Sequence, residues 1–98
     1  VSLPLIINPL AEGDLAEAQL WYEAQREGLG GEFLACVEAA LDSIQRLPET
    51  PAKLYHDIRR VLIRRFPYGI FYRVDENKIT VIAVYHARRD PRGWHERP

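Results

Sequence analysis

The stretch Tyr85-His86-Ala87-Arg88-Arg89-Asp90-Pro91-Arg92 concentrates the side chains of this chain best equipped for chemistry. Each arginine offers a planar fork of N–H donors that matches phosphate or carboxylate oxygens. His86 could carry a proton near neutral pH. Cleavage of RNA would need such a set: a base for the 2′-hydroxyl, an acid for the leaving oxygen and a cation for the phosphorane charge. The plainer alternative is that Arg88 and Arg89 bridge to Asp90 or Glu96 and that His86 is an ordinary strand residue. A second basic group, Arg59-Arg60 with Arg64-Arg65, puts four arginines within seven positions, near Tyr68, Phe71 and Tyr72. Such a mixture suits phosphate gripping and base stacking. An Arg-rich strand also protects a sheet edge from aggregation.

Other chemistries find little to stand on. Ser2 and Ser43 are the only serines, and neither sits in a nucleophile elbow. Cys36 is alone, so no intrachain disulfide exists, and its place on an apolar helical stripe makes it packing. A single cysteine also suits the reducing cytoplasm. The three histidines lack zinc spacing, so neither a metal nor another cofactor is expected. Gly28-Leu29-Gly30-Gly31 resembles a phosphate loop only superficially, because no Gly-Lys-Ser/Thr follows and the next helix opens on Glu32. Paired carboxylates on a strand pattern are missing, which removes a glycosidase or aspartyl mechanism.

The formal net charge of −1 conceals two opposed halves. Residues 1–50 hold two basic side chains, Arg26 and Arg46, against nine acidic ones, a balance of −7. Residues 51–98 hold eleven basic against five acidic, a balance of +6, and seven of the ten aromatic residues. The second half is therefore suited to an anionic partner or an acidic protein surface. Helices favouring Glu and Ala, and strands carrying Arg on a wet face, could produce the same division.

The elements that must position these residues follow from periodicity. A chain of 98 residues makes a single domain, 1–98. No apolar run approaches the roughly 18 residues of a membrane span. The opening Val1-Ser2-Leu3-Pro4 lacks the flank and length of a signal peptide. A cytoplasmic location is expected. Leu3 to Ile7 predicts a first strand. Asn8 and Pro9 then read as N-cap and first helical position. Ala11, Leu15, Ala18 and Tyr22 form one apolar stripe, widened by Trp21. Glu12, Asp14 and Glu17 suit the early turns, where the helix dipole favours acids.

After the glycine turn, Phe33, Cys36, Val37, Ala40, Ile44 and Leu47 mark a second helix, ended by Pro48 and Pro51. Residues 52–57 read as a loop, and 58–64 as a basic strand. Tyr68, Ile70, Tyr72 and Val74 alternate as a half-buried strand, with a polar turn at Asp75-Glu76-Asn77. Lys78 to His86 is apolar on both faces, Ile79, Val81, Ala83 and Tyr85 pointing one way and Thr80, Ile82, Val84 and His86 the other. It should be central. Pro91-Arg92-Gly93 should stop regular structure, with Trp94 tucked back. The result is an α+β domain of order β-α-α-β-β-β, a helical hairpin on one face of a mainly antiparallel three- to four-stranded sheet. The opposite face stays open, with Arg59 or Arg60, Arg73, Arg88 and Arg89 around it.

These residues resemble the ParE/RelE superfamily of type II toxins, in particular its ParE-like, plasmid-stabilisation branch. The resemblance is carried first by Asp14-Leu15, Trp21-Tyr22, Gly28-Leu29-Gly30 and Phe33…Val37…Leu41…Ile44. It continues in Arg59-Arg60, in Phe66-Pro67-Tyr68-Gly69-Ile70-Phe71-Tyr72 and in the run from Ala83 to Pro91 with Trp94, and it covers roughly residues 5–95.

The resemblance implies a toxin neutralised by a cognate ParD-like antitoxin of ribbon-helix-helix type, whose C-terminal segment wraps the toxin. Operator DNA would be bound only through the antitoxin complex. ParE-like members are implicated in poisoning DNA gyrase, and RelE-like members cleave mRNA on the ribosome. For a ribonuclease the candidates are His86, Arg88, Arg89 and Arg60. For contact with target or antitoxin they are Arg59, Arg60, Arg73, Arg88, Arg89 and Trp94. The ribonuclease branch has an arginine just after the tyrosine corresponding to Tyr68, where this chain has Gly69. Near the position of that branch's catalytic tyrosine stands Trp94, whose indole serves as neither acid nor base. A binding inhibitor of gyrase is the favoured expectation, with a ribosome-dependent endoribonuclease and a non-toxic antitoxin-binding module as alternatives.

Overall fold

The computed structural model describes residues 3–98; Val1 and Ser2, one of the two serines considered above, lie outside the described residues. The order is β1 (Leu5–Ile7), α1 (Pro9–Gln25), α2 (Leu29–Arg46), β2 (Lys53–Tyr55), β3 (Ile58–Leu62), β4 (Tyr68–Val74), β5 (Ile79–His86) and α3 (Arg92–His95). One sheet runs β1-β5-β4-β3-β2, with β1 parallel to β5 and the other neighbours antiparallel. The α+β hairpin-on-sheet architecture is as expected. Among the described residues the sheet has five strands because residues 53–55, expected as loop, pair with Ile58 and Arg59 across a turn in which His56 has φ 52°.

The helices form where the apolar stripes require. Ala11, Ala18 and Tyr22 of α1 and Phe33, Val37, Ala40 and Ile44 of α2 are buried against Ile70, Tyr72, Ile79, Val81 and Val84 of the sheet. Tyr22, Phe33, Phe66 and Tyr68 form a cluster with ring centroids 4.8 to 6.1 Å apart. Edge-on aromatic pairs of this kind add about 0.5–1.5 kcal/mol each beyond area burial. Gly28, at φ 88°, separates the helices in a conformation that side-chain-bearing residues resist. Glu23 accepts the Gly28 and Gly30 N–H groups, both at 2.9 Å, and so caps α2 from the end of α1.

Three expectations about these helices need correction. Trp21 does not widen the buried stripe but is 58% exposed, because it lies one residue, about 100°, round the helix from Tyr22. Leu47 is also exposed, since α2 ends at Arg46 and Leu47 leaves the helical path. Asn8 occupies the N-cap position without a side-chain cap. Its backbone N–H instead bonds to the Val81 carbonyl at 3.0 Å, tying the helix start to β5.

The strand faces also differ from simple alternation. Phe71 lies opposite Ala83 while Tyr72 lies opposite Val81, which leaves Ile82 as an extra residue in β5. The bulge reverses the alternation. Ile79, Val81 and Val84 face the helices, whereas Ile82, Ala83 and Tyr85 join Ile58, Phe71 and Trp94 on the other face. That second face is not fully open: α3, a single turn where regular structure was expected to stop, lays Trp94 over Phe71 with centroids 4.3 Å apart. β5 is an interior strand, but β4 is the middle one. No helix of the described residues is long and apolar enough to cross a membrane.

Candidate functional site

On the sheet face away from the hairpin, α3 leaves a groove of about 420 Å³. Its floor is Gly69, Phe71, Tyr85 and Trp94, and its rim carries Arg60, Arg89, His86 and His95 with Leu54 and Leu62. No carboxylate of the described residues lines it. Leu54 and Leu62 are 49% and 61% exposed, so the rim is apolar as well as basic. The groove therefore offers aromatic faces for planar or apolar groups and guanidinium forks for anions.

Each rim residue has a structural reason for its place. Arg60 lies opposite Phe71 in the β3–β4 pair, and its stem crosses Gly69. A Cβ at position 69 would come within 3.1 Å of Arg60 Cδ and 3.2 Å of Cγ. Glycine at 69 is thus what lets the Arg60 side chain lie across the floor. Gly69 itself pairs with Tyr85, and the Arg89 guanidinium sits 4.1 Å from the Tyr85 ring centroid. At the far end Tyr55 stacks on His95, with centroids 3.8 Å apart and planes at 9°.

His86 belongs partly to the other face. Its ring packs on Tyr68 at 5.2 Å, and the residue borders both this groove and a cleft beside α1. His86 Nδ1 accepts the Arg88 backbone N–H at 3.0 Å. A backbone N–H is always a donor, so this nitrogen's lone pair is engaged. Asp90 does not bridge to Arg88 or Arg89; it pairs with Arg92 at 2.6 Å, which holds the Asp90 carboxyl below its ordinary range. Among the described residues Arg88 and Arg89 form no ion pair, and both remain exposed.

The other expected contact residues are engaged within the chain. Arg59 points to the opposite side of β3 from Arg60. Its guanidinium donates to the carbonyls of Glu49 at 3.0 Å and Pro51 at 2.5 Å, and only 13% of its side chain is exposed. Arg73 pairs with Asp57 at 3.2 Å and donates to the Arg97 carbonyl at 3.3 Å. Trp94 is buried and supplies floor rather than a free contact. Among the described residues no three His, Cys, Asp or Glu side chains converge as a metal site would need.

The residue missed in the sequence is Arg97. With side-chain exposures of 11% and 7%, Arg97 and Asp14 pair at 2.7 Å. Arg97 also donates to the Ile82 carbonyl at 2.9 Å, while Asp14 accepts the Val84 N–H at 3.0 Å. The pair thus saturates the β5 edge at the bulge and fastens the tail that carries Trp94. The available signal was Asp14 itself, an acid inside the Ala11–Ala18 stripe.

A family model described as the ParE toxin of the type II toxin-antitoxin system, parDE, matches residues 5–91. The chain belongs to this ParE toxin family. Toxin ParE2 of Mycobacterium tuberculosis, from strain CDC 1551 / Oshkosh and equally from strain ATCC 25618 / H37Rv, is 30% identical over 81 residues, covering 82% of this chain and 77% of the relative. A chain of the chromosomal ParDE TA system from P. aeruginosa superposes with a TM-score of 0.64 at 16% identity, covering 86% of this chain and 95% of that one. At that identity the likeness concerns the fold. As a ParE-family toxin the chain has a cognate antitoxin as its partner.

Proposed function

We propose that this toxin acts by binding, with the groove between Arg60, Arg89 and Trp94 as its recognition surface and DNA gyrase as its target. The observation that carries the proposal is the groove's lining: two arginines and two histidines over an aromatic floor, with no carboxylate. Such a surface recognises an acidic or phosphate-bearing partner without any bond being made or broken. The engaged Nδ1 of His86 supports the same reading, because a general base needs that lone pair free. In this proposal the toxin works in the cytoplasm, its antitoxin is a ribbon-helix-helix protein, and operator DNA is met only through the complex. Purified toxin should block supercoiling by gyrase, and Arg60→Ala and Arg89→Ala should each weaken that block. Unimpaired supercoiling at saturating toxin would overturn the proposal.

The position of His86 favours one second reading, mRNA cleavage on the ribosome, because the imidazole and the Arg89 guanidinium border the same groove. In that case His86→Ala would abolish mRNA cleavage while antitoxin binding survived. Equal toxicity of His86→Ala and wild type would count against it.

A further inference from the structure

Arg89 borders two cavities. Its backbone N–H donates to the His86 carbonyl at 3.0 Å, which fixes the main chain in the turn after β5 and leaves the long side chain to be placed. On one side lies the recognition groove; on the other lies a cleft of about 490 Å³ beside α1, lined in part by Asp14 and Glu17. Asp14 is already engaged by Arg97 at 2.7 Å. Glu17 is exposed and pairs with no cation among the described residues. Charge attraction alone would draw the Arg89 guanidinium toward Glu17 and neutralise it there.

Tyr85 opposes that pull. Its ring lines the groove and not the cleft, and the Arg89 guanidinium stands over it, 4.1 Å from the centroid. The negative face of an aromatic ring attracts a guanidinium without cancelling its charge. The ring is itself a fixed support. It is 3% exposed, lies opposite Gly69 in the β4–β5 pair and packs in the cluster of Phe71 and Trp94. At its far end Gly93 of α3 passes so close that a Cβ there would collide with the Tyr85 hydroxyl. Arg97 also stands over the ring, at 5.1 Å, but its charge is met by Asp14. Arg89 differs, because among the described residues neither an ion pair nor a side-chain hydrogen bond holds it.

We propose that Tyr85 is a positioning residue for the groove: its ring holds the Arg89 guanidinium on the groove side, away from Glu17, and so presents an unpaired cation to an anionic partner. The proposal rests on the recognition reading of the groove and deepens it by naming what prepares Arg89. An arginine side chain held by nothing spreads over many rotamers, and a partner that must gather it binds less tightly. An arginine paired with Glu17 would have to release that carboxylate before meeting the partner.

The test joins NMR of the free full chain to inhibition of supercoiling. Protons over a ring face shift upfield, so the Arg89 Cδ protons of wild type should resonate upfield of those of Arg88, which stands over no ring among the described residues. Coincident Arg88 and Arg89 signals would overturn the proposal before any variant is made. Tyr85→Leu should remove the shift and raise the half-inhibitory concentration about tenfold or more, the usual effect of losing an interface anchor. Tyr85→Phe keeps the ring, so it should keep the shift and inhibit at a concentration at least about fivefold below that of Tyr85→Leu. Because Tyr85 acts through Arg89, Tyr85→Leu/Arg89→Ala should inhibit no worse than Arg89→Ala alone, whereas independent contributions would multiply. Adding Glu17→Gln to Tyr85→Leu should recover about two- to fivefold, the worth of an exposed ion pair. A double variant weaker than Arg89→Ala by the full Tyr85→Leu factor, or no recovery with Glu17→Gln, overturns the positioning role. Wild-type toxin that spares gyrase removes the proposed target alone; the ring-current comparison, made without any target, still decides where Arg89 is held.

Discussion

Arg97 and Asp14, 83 positions apart, form a two-pronged ion pair, with Nη1 at 2.7 Å from Oδ2 and Nη2 at 3.2 Å from Oδ1. The pair binds the C-terminal tail to the middle of α1 and closes the β5 edge where the bulge leaves it open. Removing one partner strands a buried charge, which typically costs about 3–5 kcal/mol. Asp14→Leu should therefore lower the urea midpoint sharply. The double variant Asp14→Leu/Arg97→Met should lose much less, since the stranded guanidinium is gone. Equal losses in the single and double variants would show that the pair has no such role.

Glu32 receives Arg65 at 2.8 Å and Arg26 at 2.9 Å, joining the start of α2 to the end of α1 and the β3–β4 loop. The hydrogen bonds from Arg65, then those from Arg26, lower its pKa from the ordinary 4.5. A carboxylate whose folded pKa is depressed contributes stability that is full above its unfolded pKa and fades as pH falls through the folded value. The difference in urea midpoint between wild type and Glu32→Gln should thus be constant above about pH 5.5 and shrink as the pH drops below about 4.5. Exposure makes the difference small, and added salt should shrink it further. A difference that grows on acidification would contradict the assignment.

Trp94 joins α3 to the sheet through its stack on Phe71 and its edge contact with Tyr55 at 5.8 Å. Trp94→Ala should cost about 3–5 kcal/mol, the usual range for emptying a large buried aromatic site. Trp94→Phe keeps a ring over Phe71 and should cost less than half as much. Thermal unfolding of the two variants measures the ratio. Near-equal losses would mean that the indole, rather than the stack, holds the tail.

The sequence made the hairpin legible because each helix alternates apolar and polar residues at helical spacing, and β4 legible because Tyr68, Ile70 and Tyr72 recur every second position. The bulge was not legible. β5 is apolar on both faces, so no change in alternation betrays the extra residue at Ile82, and strict alternation puts Tyr85 on the side of Ile79 and Val81, opposite to the face it takes. β2 escaped because three residues give no period to detect. The ion pair of Asp14 with Arg97 escaped because a contact across the whole chain leaves no local pattern. Arg59 and Arg60 were known to be adjacent, but their separate roles depend on which face each takes.

That last distinction gives the sharpest prediction, since the two arginines are neighbours of identical chemistry on opposite faces of β3. Arg59 donates to two loop carbonyls and packs beside Tyr72, whose hydroxyl donates to the Pro48 carbonyl at 2.8 Å. Arg59→Ala leaves those carbonyls without their charged donor and should cost about 1.5–3 kcal/mol of stability. Because it does not line the groove, its folded variant should act on the proposed target, gyrase, at the same concentration as wild type. Arg60 is exposed, crosses Gly69 and forms no ion pair among the described residues, so Arg60→Ala should change stability by no more than about 0.5 kcal/mol. Its loss should appear instead in the target, as at least about a tenfold higher concentration for half-maximal inhibition, the usual effect of removing an interface anchor. Urea unfolding and supercoiling inhibition, measured on both variants, separate the two roles. Inhibition lost with Arg59 and kept with Arg60 would place the recognition surface on the wrong face of the sheet.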